Sequence, residues 1–248
     1  MSDEAIHLKA SRVEDVAKRS FKEVAAFLES VRYIVFDLNG TLVGENYLKP
    51  DEVLEGIFKC RRRGRGMTVE DLGEVARGKS PLSEVIARLY VVDDPEALSR
   101  RYLNFQSSRI VFRGKALEVI KALREKYRLI LCTDTTGIAK EVVKKLDLPR
   151  YFVKIFYSSD LGYVKSEEIF WTIILSHFPE AKPQEFLVVG DNPRSDIYHP
   201  NRLGMHTIQI ENAVKLALDY REASTNSDEE KPEYFIKEPE EIPSLLDL

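Results

Sequence analysis

Cysteine is scarce in this chain of 248 residues, which contains only Cys60 and Cys132. These two residues form no metal-type or redox-type spacing, so the sequence argues against a zinc centre, a dithiol site and a disulfide-rich fold. A single disulfide is not excluded. The pattern fits a reducing compartment, and we expect a cytoplasmic location.

Long apolar runs and a strong net charge are also missing. No apolar run reaches the length of a membrane span, and residues 1–10 have neither the basic region nor the apolar stretch of a signal peptide. The net charge is −4, which gives no reason to expect nucleic acid or an anionic membrane as a partner. The hydrophobic content of 44% is ordinary for a soluble globular protein with a large core.

The most informative stretch is residues 33–42, where a short apolar run is followed by a polar turn. The first four residues are aromatic or aliphatic and predict a buried strand, which the sequence Asp-x-Asn-Gly-Thr then ends. Asp37 is therefore expected at the carboxyl end of a strand, where open α/β sheets bind ligands. Gly40 allows a sharp turn, and we expect Thr41 to hold that turn with a local hydrogen bond.

The rest of the chain divides into three predicted parts. Apolar residues at helical spacing predict an N-terminal helix, within residues 1–31, that packs on the core. Residues 47–110 show helical patterns with no convincing strand and predict a small helical cap inserted after the first strand. Residues 32–46 and 111–248 show alternating strands and helices, which predict an α/β core with a Rossmann-like parallel sheet and helices on both faces.

Residues 47–110 also contain a short basic run. Its members are Lys59, Arg61, Arg62, Arg63 and Arg65. A run of this kind is usually a solvated surface. The functional alternative is that one or two of these arginines face the Asp37 turn and bind an anionic substrate through their guanidinium groups. Nucleic acid is disfavoured because the run has no interleaved aromatic residues.

Polar side chains occur at or after the ends of the predicted core strands. These are Asp37, Asn39, Thr133, Lys165, Asp191 and Asp196. Because the carboxyl ends of parallel strands lie along one edge of a sheet, we expect these groups to converge. Carboxylates at close quarters repel one another unless a cation neutralises them, and hard oxygen ligands suit Mg²⁺, which also bridges to a substrate phosphate. Thr133 and Lys165 are suited to bind the remaining oxygens of that phosphate.

The order of these motifs resembles that of the haloacid dehalogenase-like superfamily of hydrolases. The motifs are Asp-x-Asn-Gly-Thr, a strand-ending Thr, a Lys and Gly-Asp-x-x-x-x-Asp, and the match runs from about Tyr33 to the end of the chain. The resemblance implies a Mg²⁺-dependent phosphoric monoester hydrolase that acts on a small phosphorylated substrate, with residues 47–110 as the smaller of the family's cap types. Dehalogenase activity is disfavoured, because Lys165 with Asp191 and Asp196 indicates a metal and a phosphate.

The resemblance also implies a role for each motif residue. The catalytic residues are Asp37, Asn39 and Lys165. The substrate-binding residues are Thr133, Lys165 and the neighbouring Asp134. The metal ligands are Asp37, Asp191 and the main-chain carbonyl of Asn39, with Asp196 supporting the metal's waters. Asp37 is the implied nucleophile, and its product is an aspartyl-phosphate.

Asn39 departs from the family pattern, which has a second Asp two residues after the nucleophile. That Asp protonates the leaving oxygen and later activates the water that cleaves the acyl-phosphate. An amide can donate a hydrogen bond but cannot carry a proton, and general acid–base catalysis contributes roughly 10²- to 10⁴-fold. Asp134 could replace it as a proton carrier, but an Asp at that point is expected to cap the following helix.

Three explanations for Asn39 stay open. The chain could be a variant made to slow catalysis, a natural enzyme that acts on good leaving groups, or a protein that has kept the pocket for binding. The last explanation corresponds to the alternative function, a non-catalytic phospholigand-binding or protein-interaction protein. The sequence does not name the natural substrate or the oligomeric state.

Overall fold

The computed structural model describes residues 30–44, 46–211 and 230–246. The predicted N-terminal helix lies outside these ranges, apart from its last two residues, Ser30 and Val31. Within the ranges, no helix combines the length and the apolar character that crossing a bilayer requires.

Eight strands are present in the described residues. They are β1 (Tyr33–Phe36), β2 (Arg61–Arg62), β3 (Tyr90–Val91), β4 (Arg128–Thr133), β5 (Lys154–Tyr157), β6 (Phe186–Gly190), β7 (His206–Ile210) and β8 (Tyr234–Ile236). Six of them form one parallel sheet in the order β5-β4-β1-β6-β7-β8. The remaining two, β2 and β3, form a separate antiparallel pair.

Nine α-helices accompany these strands in the described ranges. They are α1 (Val69–Ala76), α2 (Leu82–Leu89), α3 (Pro95–Ser108), α4 (Ala116–Leu123), α5 (Ile138–Lys145), α6 (Ser158–Leu161), α7 (Glu168–Ser176), α8 (Tyr198–Arg202) and α9 (Ile242–Leu245). The polar stretch of residues 158–165 after β5 is predicted from the sequence to form a loop, but its first four residues form the short helix α6, so that expectation was wrong. A single helical turn leaves too few residues for a helical period to be recognised.

Strand β1 lies inside the sheet, and all four of its residues are buried. Because successive side chains of a strand point to opposite faces, Ile34 and Phe36 join one apolar cluster, whereas Tyr33 and Val35 join another. Helices α4 and α5 contribute to the first cluster and α7 to the second. The sheet is thus covered on both faces, which explains its continuous apolar strands. The predicted α/β fold class is confirmed.

The inserted segment (residues 47–110) separates β1 from β4 and has an apolar cluster of its own. It contains α1, α2, α3, a π-helical turn at Glu52–Ile57 and the β2–β3 pair. The expectation that this segment has no strand was wrong. Strands of two residues are too short to show the alternation by which a strand is recognised.

Three arginines of the basic run, Arg62, Arg63 and Arg65, are bound inside the inserted segment. Their acceptors are the carboxylates of Asp51, Glu55 and Asp71 and the main-chain carbonyls of Ala87 and Tyr90. These local contacts occupy the three guanidinium groups. For them the structure therefore supports the surface interpretation of the run.

The order of the strands decides where a ligand site can form. The chain adds β4 and β5 on one side of β1 and then returns to add β6, β7 and β8 on the other side. In open parallel sheets, ligands bind beyond the carboxyl ends of the strands at the point where the order reverses. That point lies between β1 and β6, which are followed directly by Asp37 and Asp191.

The two-sided core makes a quantitative prediction about β1. We expect Ile34→Ala, at a fully buried position, to lower the free energy of unfolding by about 2–5 kcal/mol, because it leaves a cavity. Urea unfolding followed by circular dichroism measures the change. The same substitution at Ile169, which is 42% exposed, is the matched control. Equal losses at the two positions would contradict the proposed packing.

Candidate active site

Three aspartates meet beyond the carboxyl ends of β1 and β6. Asp37, Asp191 and Asp196 each place one carboxylate oxygen within 4.8 Å of the others, and their exposed fractions are 5%, 1% and 0%. The pairing of β1 with β6 sets this arrangement, since the main-chain N–H of Asp37 donates to the carbonyl of Val189 (2.9 Å). Of the six residues that the sequence expected at one sheet edge, these three aspartates lie together there.

Lys165 is a cation in direct contact with this cluster. Its Nζ donates a hydrogen bond to Oδ1 of Asp37 and lies 2.6 Å from Oδ1 of Asp196, and its side chain is fully buried. Burial opposes the charged form, but the neighbouring carboxylates of Asp196 and Asp37 outweigh burial and raise the pKa of Lys165 well above its usual value. Lys165 is therefore a fixed positive charge at neutral pH.

The backbone around Lys165 is held from several sides. Its carbonyl accepts a hydrogen bond from Nε1 of Trp171 (2.8 Å), and its main-chain N–H donates to Oδ1 of Asp134 (3.0 Å). The next carbonyl, that of Ser166, lies 2.8 Å from Nε2 of His199. These contacts fix the main chain from which the ammonium extends.

Asp196 connects Lys165 to the turn that carries Asp191. Its Oδ1 contacts Nζ of Lys165, and its Oδ2 accepts from the main-chain N–H of Asn192 (3.0 Å). Asn192 in turn accepts from the N–H groups of Arg194 and Ser195, both at 3.0 Å. One carboxylate thus fixes both the cation and the turn after β6.

The charge of the site indicates which ligand could be held there. Three ionised carboxylates and one ammonium give a formal charge of −2 in a buried space, which is unfavourable without further compensation. The carboxylate donors are all hard oxygen atoms, which suits Mg²⁺. A divalent cation would bring the formal charge of the cluster to zero.

Asp134 makes a different contact from the one that its sequence position suggests. Helix α5 is held by Thr135, whose Oγ1 accepts from the N–H groups of Gly137 (2.9 Å) and Ala139 (3.1 Å), so the expectation that Asp134 caps this helix was wrong. Asp134 instead accepts from Lys165. Its Oδ2 is buried and makes no hydrogen bond within the described part of the chain. Burial, only partly offset by the Lys165 ammonium, raises its pKa to about 6.

The remaining predicted positions lie near the same edge. Thr133 ends β4, is fully buried and donates from Oγ1 to the carbonyl of Asp134 (3.2 Å). Oγ1 of Thr41 is buried and makes no hydrogen bond among the described residues, so the expected local bond was wrong. The turn is held by its main chain, in which the N–H of Leu42 donates to the carbonyl of Leu38 (2.9 Å).

The side chain of Asn39 is bound by a residue that the sequence did not single out. The hydroxyl of Tyr47, at the start of the inserted segment, donates to Oδ1 of Asn39 at 2.6 Å. No motif marks a tyrosine eight residues after an asparagine, so only the fold reveals this contact.

Known proteins resemble the chain over most of its length. A family model described as haloacid dehalogenase-like hydrolase matches residues 31–198, and a HAD-hydrolase-like model matches residues 163–241. Glyceraldehyde 3-phosphate phosphatase from Pyrococcus furiosus is 23% identical and covers 89% of this chain and 94% of its own length.

Two solved structures show the same fold at low sequence identity. The HAD-hydrolase YfnB from Bacillus subtilis, bound to magnesium, has a TM-score of 0.59 at 18% identity and covers 88% of this chain and 99% of its own. A 2-haloacid dehalogenase from Pseudomonas syringae has a TM-score of 0.58 at 18% identity and covers 88% and 98%. The two proteins share a fold, but their names differ in the activity they state. The activity of this chain therefore has to be argued from its site.

Gly40 provides a first test of the site geometry. Its φ angle is +78°, and a Cβ at this position would lie 2.5 Å from Oδ2 of Asp191. We expect Gly40→Ala to cost at least about 1–2 kcal/mol of unfolding free energy, from the left-handed backbone alone, and to displace Asp191. Urea unfolding measures the first effect, and the Mg²⁺ dependence of the melting temperature measures the second. Gly44→Ala, which meets no atom within 4 Å, should change neither.

Asp134 provides a second test, through pH. Because its pKa rises from 3.8 to about 6 on folding, the folded state holds the proton more tightly. The stability from this group is full below pH 4 and is lost as the pH rises towards 6, by about 3 kcal/mol in all. Asp134→Asn should remove that decline in urea unfolding measured from pH 4 to 7 in EDTA. The exposed control Asp93→Asn should keep it, and an unchanged decline in Asp134→Asn would contradict the assignment.

Proposed function

Since the chain belongs to the haloacid dehalogenase-like hydrolase family, we propose that it is a Mg²⁺-dependent phosphatase that acts on a small phosphorylated substrate through an aspartyl-phosphate. One observation carries this proposal. It is the buried cluster of three carboxylates with Lys165 at the point where the strand order reverses. The phosphatase and magnesium-bound relatives support the same interpretation.

We assign each side chain the role that the family resemblance implies for it. Asp37 attacks the phosphorus atom, and Lys165 and Thr133 bind the phosphoryl oxygens that the reaction leaves unchanged. Asp134 contributes to substrate binding indirectly, because it accepts a hydrogen bond from the main-chain N–H of Lys165 and so helps to position that residue. Mg²⁺ would be held by Asp37, Asp191 and the main-chain carbonyl of Asn39, with Asp196 supporting its waters. The ion supplies compensation for the negative charge of the phosphoryl group.

The charge of the cluster favours phosphate over a haloacid. A cluster with a formal charge of −2 would repel a phosphoryl group, but a divalent ion would make the cluster neutral and leave the ion and the Lys165 ammonium to bind the phosphoryl oxygens. Displacement of a halide from carbon needs no such ion. Phosphoryl transfer would use Asp191 and Asp196 to hold the divalent ion and its waters, whereas dehalogenation would not need them.

We assign the inserted segment as the cap that covers this site, with residues 32–46 and 111–248 as the core. Two observations support the assignment. The segment has its own apolar cluster, and it reaches the core next to the Lys165 loop, where Nε of Arg77 lies 3.3 Å from Oε1 of Glu167.

Hydrolysis of para-nitrophenyl phosphate tests the proposed function. We expect the wild-type chain with Mg²⁺ to release nitrophenolate, Asp37→Asn to abolish release, and EDTA to suppress it. Asn39→Asp restores a group that can carry a proton, so it should raise kcat by roughly 10²- to 10⁴-fold if proton transfer limits the reaction. Lys121→Ala, at an exposed position of α4 in the core, is the control and should have wild-type kinetics.

The alternative, a phospholigand-binding protein without catalysis, gives a different result. In that case neither the wild type nor Asn39→Asp hydrolyses any of a panel of phosphoesters. Inorganic phosphate with Mg²⁺ would still raise the melting temperature of the wild type, and Asp191→Asn would remove that increase. The presence of an amide at residue 39 favours this alternative, because an amide cannot carry the proton that hydrolysis of most phosphoesters requires.

A further inference from the structure

The hydrogen bond between Tyr47 and Asn39 fixes the direction of an amide at the edge of the site. Oδ1 of Asn39 accepts from the Tyr47 hydroxyl at 2.6 Å. The amide oxygen is thus turned towards Tyr47, and Nδ2, with its two N–H donors, forms the other end of the group. Residue 39 can therefore offer a hydrogen bond to a ligand oxygen but no proton.

Tyr47 is itself held in place by the inserted segment. The next residue, Leu48, is bound at both main-chain groups by the fully buried Gln106 of α3, with its N–H donating to Oε1 (3.2 Å) and its carbonyl accepting from Nε2 (2.7 Å). The ring of Tyr47 also packs against the apolar cluster of the core. Because these contacts hold Tyr47 in place, the fold orients the amide of Asn39 in addition to its own rotamer preference.

We propose that the Tyr47–Asn39 pair restricts this site to phosphoryl compounds whose leaving group departs as a stable anion, such as acyl phosphates, aryl phosphates and phosphoanhydrides, and that it excludes alkyl phosphomonoesters. The inference rests on the proposed function. A carboxylate leaving group has a conjugate acid of pKa about 4 and a phenolate one of about 10, so both can leave without being protonated. An alkoxide is far more basic and needs an acid that residue 39 does not supply.

The first step balances without a proton from the protein. An oxygen of Asp37 forms a bond to phosphorus, the bond from phosphorus to the leaving oxygen breaks, and its electron pair stays on that oxygen. The amide of Asn39 donates a hydrogen bond to this oxygen while the charge develops. The carboxylate or phenolate then departs and takes any proton from solvent.

The second step lacks a base. Water forms a bond to the phosphorus of the aspartyl-phosphate, the bond from phosphorus to Asp37 breaks, and its electron pair returns to the carboxylate. The proton of the attacking water passes to solvent, because the amide cannot accept it. This step should therefore be the slower one, and the phosphorylated chain should accumulate when the leaving group is good.

A series of leaving groups tests the inference on the full chain with Mg²⁺. Acetyl phosphate, para-nitrophenyl phosphate, phenyl phosphate and glycerol phosphate are compared by phosphate release. In the wild type we expect kcat/KM to fall steeply along this series. In Asn39→Asp the value for glycerol phosphate should rise by roughly 10²- to 10⁴-fold, and that for acetyl phosphate should change only a few-fold.

Accumulation of the phosphorylated chain is tested separately by quenching with acid and measuring the intact mass. Wild type mixed with acetyl phosphate should show a phosphate adduct that Asp37→Asn does not form. The adduct should decay faster in Asn39→Asp, since a carboxylate at position 39 can accept the proton of the attacking water.

The role of Tyr47 as a positioning residue is tested by a double-mutant cycle. Tyr47→Phe should lower kcat/KM for para-nitrophenyl phosphate, which reports the first step, by about 3- to 10-fold, the usual effect of losing one hydrogen bond. In an Asn39→Ala background it should have no effect. In an Asn39→Asp background, Tyr47→Phe should shift the pH profile of kcat/KM to higher pH. The Tyr47 hydroxyl stabilises the ionised form of a carboxylate at residue 39, so its loss raises the pKa of that carboxylate. Tyr127→Phe, whose buried hydroxyl has no hydrogen-bond partner in the described residues, is the control.

The outcomes separate the two proposals. If the wild type hydrolyses glycerol phosphate as fast as aryl and acyl phosphates, the leaving-group restriction is wrong while the phosphatase function stands. If it hydrolyses none of the series and forms no adduct, the proposed function itself is wrong. If Tyr47→Phe is equally harmful in the wild type and in the Asn39→Ala background, Tyr47 has only a structural role.

Discussion

The contact of Lys165 with Asp37 and Asp196 is the interaction on which the rest of the site depends. Three carboxylates cannot be buried within a few ångströms of one another unless positive charge accompanies them. Lys165 supplies one such charge and is itself buried, so each partner is stable only because the other is present. Removing one member of a buried pair leaves a charge without compensation, which typically costs about 3–5 kcal/mol. The pairing therefore favours a single arrangement of the loops around it.

The sheet makes this arrangement possible by bringing together segments that are far apart in the chain. Strands β1 and β6 are neighbours, and the segments that follow them face each other across the reversal of strand order. Glycine allows the close approach. A Cβ at Gly40 would collide with Asp191, and one at Gly190 would collide with Asp196. Two glycines thus provide the space into which the carboxylates fit.

The sequence predicted the parts of this structure that depend on local pattern. Strand β1 was predicted because four bulky apolar residues precede a polar turn, and the motif residues were found because they follow strands of the same kind. The contacts of Asp134 and Thr135 could not be predicted in this way. Both are short polar side chains that precede α5, and either could cap it. Asp134 instead binds the main chain of Lys165, 31 residues further along the chain, and Thr135 caps the helix.

The β2–β3 pair and the contact of Tyr47 with Asn39 were missed for a related reason. Strands of two residues show no alternation, and a hydroxyl in a connecting segment has no motif around it. In both cases the position of the residue is set by the packing of the inserted segment against its neighbours. Pattern methods detect faces and ends of elements, but they do not detect which single side chains meet between segments.

Asn39 allows ligand binding without proton transfer, whereas an aspartate at this position would support both. An aspartate at this position would add another carboxylate two residues after Asp37, in a site that already carries a formal charge of −2. The amide adds no charge, so one divalent ion is enough to neutralise the cluster, and its main-chain carbonyl is unaffected by the change of side chain. Binding of the ion and of a phosphoryl group therefore does not require a carboxyl at residue 39. Only proton transfer does, and the chemistry that survives without it is the chemistry in which the leaving group needs no proton.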